Sequence, residues 1–224
     1  MSFNVAIDGP AGAGKSTIAK RVAKKLGFIY VDTGAMYRAM ALYLIRNQVS
    51  KDSQDEIAAK CQDADISICY ENGEQIVLLN GENVNKLIRT EEVGNMASVS
   101  SANPKLREKL VDLQKKLAAE ADVIMDGRDI GTCVLPNADV KIYLTASSAV
   151  RAMRRFKELE AKGEASNLAQ IEADIIERDH RDMTREHSPL KQAEDAILVD
   201  SSDMTIDEVV EKICAFACEK KGSC

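Results

Sequence analysis

A glycine-rich turn between a strand-like run and a helical pattern constrains this chain more than any other feature. Gly9-Pro10-Ala11-Gly12-Ala13-Gly14-Lys15-Ser16-Thr17 fits Gly-x-x-x-x-Gly-Lys-[Ser/Thr]. Phe3 to Ile7 reads as a strand, and Ile18 to Leu26 repeats apolar residues at helical spacing before Gly27 stops it. Strand, turn and helix in that order make a phosphate-binding loop. The glycines let backbone N–H groups point inward, where they and the positive helix end hold anionic phosphates. Lys15 adds a point charge at the outer phosphates, and the Ser16 hydroxyl suits Mg²⁺. The loop alone leaves kinases, switches, motors and transporters open.

Length allows one sizeable α/β domain with an insertion, since 224 residues with a 45% hydrophobic fraction can bury a substantial core. A net charge of -6 argues against a general nucleic-acid binder, and with aromatics at 4% no stacking platform for single strands is evident. No apolar run is long enough to span a membrane and no signal peptide is visible, so a cytoplasmic protein is expected. The cysteines, at 61, 69, 133, 214, 218 and 224, form no Cys-x-x-Cys pair. Cys214 and Cys218 share a helical face with Val210 and Ile213 and read as small core residues, not as part of a disulfide framework or zinc site.

Strand-like runs at Phe3–Asp8, Phe28–Val31, Val123–Asp126, Val140–Thr145 and Ile197–Asp200 alternate with helical patterns, which predicts a five-stranded parallel sheet flanked by helices. Thr205 and Glu208 form a capping box for the last helix, and Pro104 opens a strongly periodic one. Before Pro104 the series is interrupted. Ile66–Tyr70 and Gln75–Leu79 flank Glu71-Asn72-Gly73-Glu74, a hairpin signal, and Asn80-Gly81 offers a second turn. The reading is a single domain over 1–224: a core at about 1–62 and 104–224, an inserted antiparallel β lobe at about 63–103, and a helical lid region at about 156–187.

Four segments can carry chemistry. Asp32-Thr33-Gly34-Ala35-Met36-Tyr37-Arg38 follows the second strand, at the carboxyl end where ligands sit in open α/β sheets. Thr33 can cap the next helix and Arg38 can reach an anion, although an ordinary capped helix with a surface arginine fits equally. Asp126-Gly127-Arg128-Asp129-Ile130-Gly131-Thr132 follows the third strand. There Asp126 can hold a Mg²⁺-bound water, Arg128 can pair with phosphate, and Asp129 can accept from an amine or hydroxyl; the plain alternative is a tight Asp-stabilised turn. Arg178, Asp182 and Arg185 share one helical face late in the chain, either as a salt-bridge ladder or as a lid that brings arginines over a phosphoryl group. His180 and His187 read as solvated. Arg151 and Arg155 share a face of the helix that Ser147 or Ser148 caps, and either flank a nucleotide or form a basic solvent face.

With these segments in order, the chain resembles the bacterial cytidylate kinases, a P-loop nucleoside monophosphate kinase family. The resemblance rests on IDGPAGAGKST, VDTGAMYRA, NMASVSSANPKLRE, DGRDIGT, KIYLTAS, ERDHRDMTR and ILVDSSDMTIDEVVEKI, and spans nearly the whole chain. It implies a P-loop kinase core whose inserted lobe binds the monophosphate, and ATP-dependent phosphorylation of CMP or dCMP with Mg²⁺. Carried over residue by residue, it implies that the loop from Gly9 to Thr17, with Lys15 and Ser16, serves ATP and Mg²⁺, and that Arg151, with Arg155, lies by the adenine. Arg38, Arg128 and Arg178 would bind the acceptor phosphate, with Thr33 and Tyr37 in the same acceptor site. Ser98, Arg107, Asp129 and Arg185 would read cytosine, and Asp182 would bind the ribose hydroxyls. Lys15, Arg128, Arg178 and Asp126 would be the catalytic set, and Ser16 and Asp126 the metal-facing pair. A monomer with small-molecule substrates, no nucleic-acid polymer and no membrane is expected. Thr33 stands where the family often has Ser, Pro10-Ala11 where it more usually has Pro-Ser, and Ser16 where some members carry Gly; none of these changes removes the backbone cradle.

The competing reading among enzymes is another small-molecule P-loop kinase, acting on shikimate or a different monophosphate. A nucleotide-dependent switch is a reading from another class. Against it, neither Asn-Lys-x-Asp nor Asp-x-x-Gly occurs in the sequence.

Overall fold

The computed structural model describes residues 2–222. In chain order the elements are β1 (Asn4–Asp8), α1 (Lys15–Leu26), β2 (Ile29–Asp32), α2 (Thr33–Arg46), α3 (Gln54–Lys60), β3 (Ile66–Glu71), β4 (Glu74–Leu79) and β5 (Glu82–Asn83). They continue with α4 (Glu91–Ser100), α5 (Pro104–Glu120), β6 (Val123–Gly127), β7 (Val140–Thr145), α6 (Ser148–Ala161), α7 (Leu168–Thr184), β8 (Ile197–Asp200) and α8 (Ile206–Lys221). A five-stranded sheet has the order β2-β6-β1-β7-β8, and β3-β4-β5 form a separate three-stranded sheet. The pairing is parallel, as expected, between β1 and both β6 and β7 and between β7 and β8.

One compact unit comprises Phe3–Tyr30 and Asp122–Cys224. Its core is built from the sheet residues Val5, Ile7, Ile124, Ile142 and Leu144, with Ile18 and Val22 of α1 and Val209, Val210 and Ile213 of α8 packed over them. Central strands are apolar on both sides because helices cover both faces of a parallel sheet. α8 begins with the full Thr205–Glu208 capping box. Cys214 lies in the core as expected, whereas Cys218 is half-buried and disulfide-bonded. Cys61, Cys69, Cys133 and Cys214 are free thiols.

The second unit contains Val31–Ala121. The hairpin turns at Asn72 (φ 52°) and Gly73 (φ 78°), the left-handed pair that a two-residue turn between twisted strands requires. Its strands pair from Ile66 with Leu79 to Glu71 with Glu74. α2 packs against α4 and β4, and buries Met36, Met40 and Leu44. Thr33 is not the cap of α2. Asp32 ends β2 and caps the helix directly, accepting the Ala35 N–H at 2.9 Å, so Thr33 is already helical. No described helix is long and apolar enough to cross a membrane.

Candidate active site

The loop after β1 turns on Gly9, Gly12 and Gly14, with φ of 150°, 76° and 87°. Gly14 precedes α1 without any side-chain cap, so the helix's first N–H groups remain directed at the loop. Gly9 crosses β7 so closely that a Cβ there would stand 1.9 Å from the Leu144 carbonyl oxygen. Gly9→Ala is therefore expected to displace the loop, lowering stability by about 1–3 kcal/mol and weakening ATP binding, as thermal denaturation and calorimetry will measure.

Lys15 is buried and donates to the Pro10 carbonyl at 2.7 Å, across the loop it closes. Burial pushes its ammonium well below the ordinary lysine range and the Arg128 charge adds to this, while Asp126, Asp8 and Asp182 act the other way. An anionic ligand in the loop favours the charged form for the same reason. The exposed Ser16 hydroxyl donates to Asp126 Oδ2 at 2.8 Å, and Tyr30 donates to Asp126 Oδ1 at 2.8 Å. Asp126 is thereby aimed from the end of β6 at the start of α1. Two hard oxygen donors side by side suit Mg²⁺, which keeps several waters and takes phosphate oxygens as its remaining ligands. No cluster of three or more His, Cys, Asp or Glu able to hold a metal occurs among the described residues.

After β6 the chain makes a five-residue π-type turn over Ile130–Val134, wider than the tight turn its glycines suggest. Arg128 and Asp129 precede it, the first met by α7 and the second by the residue just past its end. Arg128 Nε donates to Asp182 at 2.8 Å, and Arg185 Nη2 lies 3.8 Å from Asp129. Burial alone raises the Asp182 pKa, but Arg128, helped by Arg178 and Arg185, outweighs it and holds the carboxyl below its ordinary value. Asp182 thus pairs off its own helix, while the charges of Arg178 and Arg185 also favour its ionised form. Arg185 lies past the end of α7 in extended backbone, and Asp182 bonds across to Arg128.

Arg151 and Arg155 also part. Ser147 caps α6, and Arg151 in its first turn is buried, donating to Ala146 and to Ala11 of the loop and pairing with Asp179 of α7 at 2.6 Å. Arg155 is exposed and pairs with Glu158. In the other unit, Arg107 stacks 5.3 Å above the Tyr37 ring and donates to the Ser101 carbonyl. Arg38 donates to the Ile88 carbonyl, Thr33 is buried, and Ser98 is half-buried on α4. Asp8, Tyr30 and Asp179 escape sequence reasoning, although a charged residue ending an apolar strand just before the loop marks Asp8.

The cytidylate kinase family profile matches residues 5–219. A cytidylate kinase from Listeria welshimeri serovar 6b is 54% identical over 217 residues, covering 96% of both chains. One from Caldicellulosiruptor bescii is 50% identical over 211 residues, 94% of this chain and 93% of the relative. Among solved structures, a gluconokinase from Sinorhizobium meliloti 1021 aligns over 97% of this chain and 92% of its own, with a TM-score of 0.50 at 11% identity, a likeness of fold alone.

Proposed function

The chain belongs to the cytidylate kinase family and phosphorylates CMP at the expense of ATP, and from that premise we propose how its residues divide the work. The loop amides from Gly9 to Thr17 and the Lys15 ammonium hold the donor phosphates, and Lys15 follows the charge on the transferring group. Mg²⁺, when bound, neutralises charge on those phosphates, with Ser16 and Asp126 as its protein neighbours. Arg151 serves the donor nucleotide from its seat against Ala11, with Arg155 further along α6. Arg128, Arg178 and Arg38 clamp the acceptor phosphate, with Thr33 and Tyr37 beside Arg38. In-line transfer depends on such positioning and charge neutralisation more than on a proton acceptor.

Asp129, Arg185, Ser98 and Arg107 recognise the base, and Asp182 the ribose of CMP or dCMP. Cytosine presents an N4 amine beside acceptors at N3 and O2, which suits a carboxylate and a serine for the amine and arginines for the rest. Uracil presents a carbonyl where cytosine has the amine, so Asp129 meets an acceptor and both groups stay unpaired.

The observation that most supports this division is the double meeting of α7 and the residue just past its end with the turn after β6. Arg128–Asp182 and Asp129–Arg185 are buried or nearly buried pairs of opposite charge at the carboxyl end of the sheet. The test is Asp129→Asn. A charged hydrogen bond contributes about 1.5–3 kcal/mol, so kcat/KM for CMP is expected to fall by about one to two decades, and that for UMP by less. An unchanged CMP-to-UMP ratio assigns base recognition to other residues.

A further inference from the structure

Asp8 is the last residue of the central strand β1, in register with Gly127 of β6 on one side and Tyr143 of β7 on the other. The residue is 5% exposed. One carboxylate oxygen accepts the Ile130 N–H at 2.8 Å and the other accepts the Gly131 N–H at 2.7 Å. We propose that Asp8 is a positioning residue for acceptor recognition, fixing through these two amides the turn that presents Arg128 and Asp129. This rests on the reading of Arg128 and Asp129 given above.

The chemistry restricts the anchor to a carboxylate. Two successive amides donate to two separate oxygens. An asparagine in the same place accepts one of them and turns an N–H₂ toward the other. The turn also packs closely here: a Cβ at Gly131 would stand 3.4 Å from Asp8 Oδ2 and 3.2 Å from the Lys141 stem, so a side chain fits only if the lysine stem gives by a few tenths of an ångström. The other charged and titratable groups near Asp8 are Lys15 from α1, Asp129 from the turn, and Lys141 and Tyr143 from β7. Lys15 donates to Pro10, and Lys141 pairs with Asp195 at 2.8 Å. The two amides are thus the direct hydrogen-bond partners of the carboxylate.

Placing a carboxylate here is expensive. Burial pushes its pKa up to about 6, the two amides and Lys15 only partly offset this, and Asp129 adds repulsion. A raised carboxylate pKa means that ionising Asp8 works against folding, so the fold gains nothing from the charge as pH rises through that value. Groups held against their own stability are characteristic of functional sites. Arg128 lies two residues before the first anchored amide and Asp129 one residue before it. A shift of the anchor therefore moves both, and small misplacements of positioning groups are costly in rate.

The experiment uses the full chain and three measurements. Asp8→Asn, which keeps the side-chain shape, is expected to lower kcat/KM for CMP by about 10- to 100-fold, largely through KM, while the ATP dissociation constant from calorimetry stays at its wild-type value. Equal losses for CMP and ATP, or no loss for either, overturn the proposal. Hydrogen exchange on the unmodified protein gives an answer that does not depend on the variant folding. Ile130 and Gly131 amides protected like those of β6 support the anchor, and amides exchanging like an exposed loop overturn it. Arg128→Met, run alongside, separates the two levels: if it abolishes CMP use while Asp8→Asn leaves kcat/KM for CMP at its wild-type value, the Asp8 role alone falls. If Arg128→Met leaves CMP use intact, the assignment of the turn falls and the Asp8 proposal with it.

Discussion

Replacing Lys15 by alanine is expected to lower kcat by at least about a hundredfold while the native fold persists. The ammonium is buried and bonded to Pro10, and in the proposed function it acts on the transferring phosphoryl group, where exclusion of water strengthens its charge. Removing it also removes a charge that burial disfavours, so stability is expected to hold or rise. Steady-state turnover with saturating ATP and CMP, read beside the circular-dichroism melt, is the measurement. Turnover near wild type with a native spectrum would mean that the lysine does not neutralise charge in the transition state.

Arg128→Met is expected to act on chemistry and stability together. The side chain reaches α7, and in the proposed function it also clamps the acceptor phosphate, so kcat/KM for CMP should fall by about two to three decades. ATP binding should change little, because Arg128 precedes the turn after β6 and the donor loop is held by its own glycines and α1. Stability should fall as well. Asp182 has its pKa held below the ordinary value by this guanidinium, so the pair stabilises the fold above the unfolded carboxylate pKa, and that contribution disappears as pH falls through the folded one. Without Arg128 it is lost at neutral pH too, about 1–3 kcal/mol for a pair that still touches solvent. The unfolding midpoint of the variant should consequently depend less on pH between the two carboxyl pKa values than that of the wild type. If CMP and ATP binding fall equally, Arg128 organises the donor loop and not the acceptor site.

Much of this architecture is legible in residue order. The apolar runs that end at Asp8, Asp126, Thr145 and Asp200 are strands because buried parallel strands leave no polar face, and each was bounded by a turn signal. Asn72-Gly73 announced the hairpin because both positions need left-handed backbone. Local rules failed where two local solutions compete. Asp32 and Thr33 are both good caps, and the strand's length selected Asp32. Arg178, Asp182 and Arg185 have ladder spacing, but α7 ends at Thr184 and the turn after β6 supplies Asp182 with a better partner.

The phosphate loop, the succession of chemistry-bearing segments along the chain and the family to which the chain belongs were determined by sequence alone. A nine-residue loop motif between strand and helix, and the segments that follow it, act through short-range geometry that any reader of the chain can reconstruct. Tertiary structure alone decided which charges meet. Asp8 meets the amides of Ile130 and Gly131, Arg151 meets Asp179 and Ala11, and Tyr30 meets Asp126, over sequence separations of 122 or 123, 28 or 140, and 96 residues. Such partners are chosen by strand order and helix packing. A buried carboxylate takes whichever donors the neighbouring strand delivers, and no local propensity encodes that delivery.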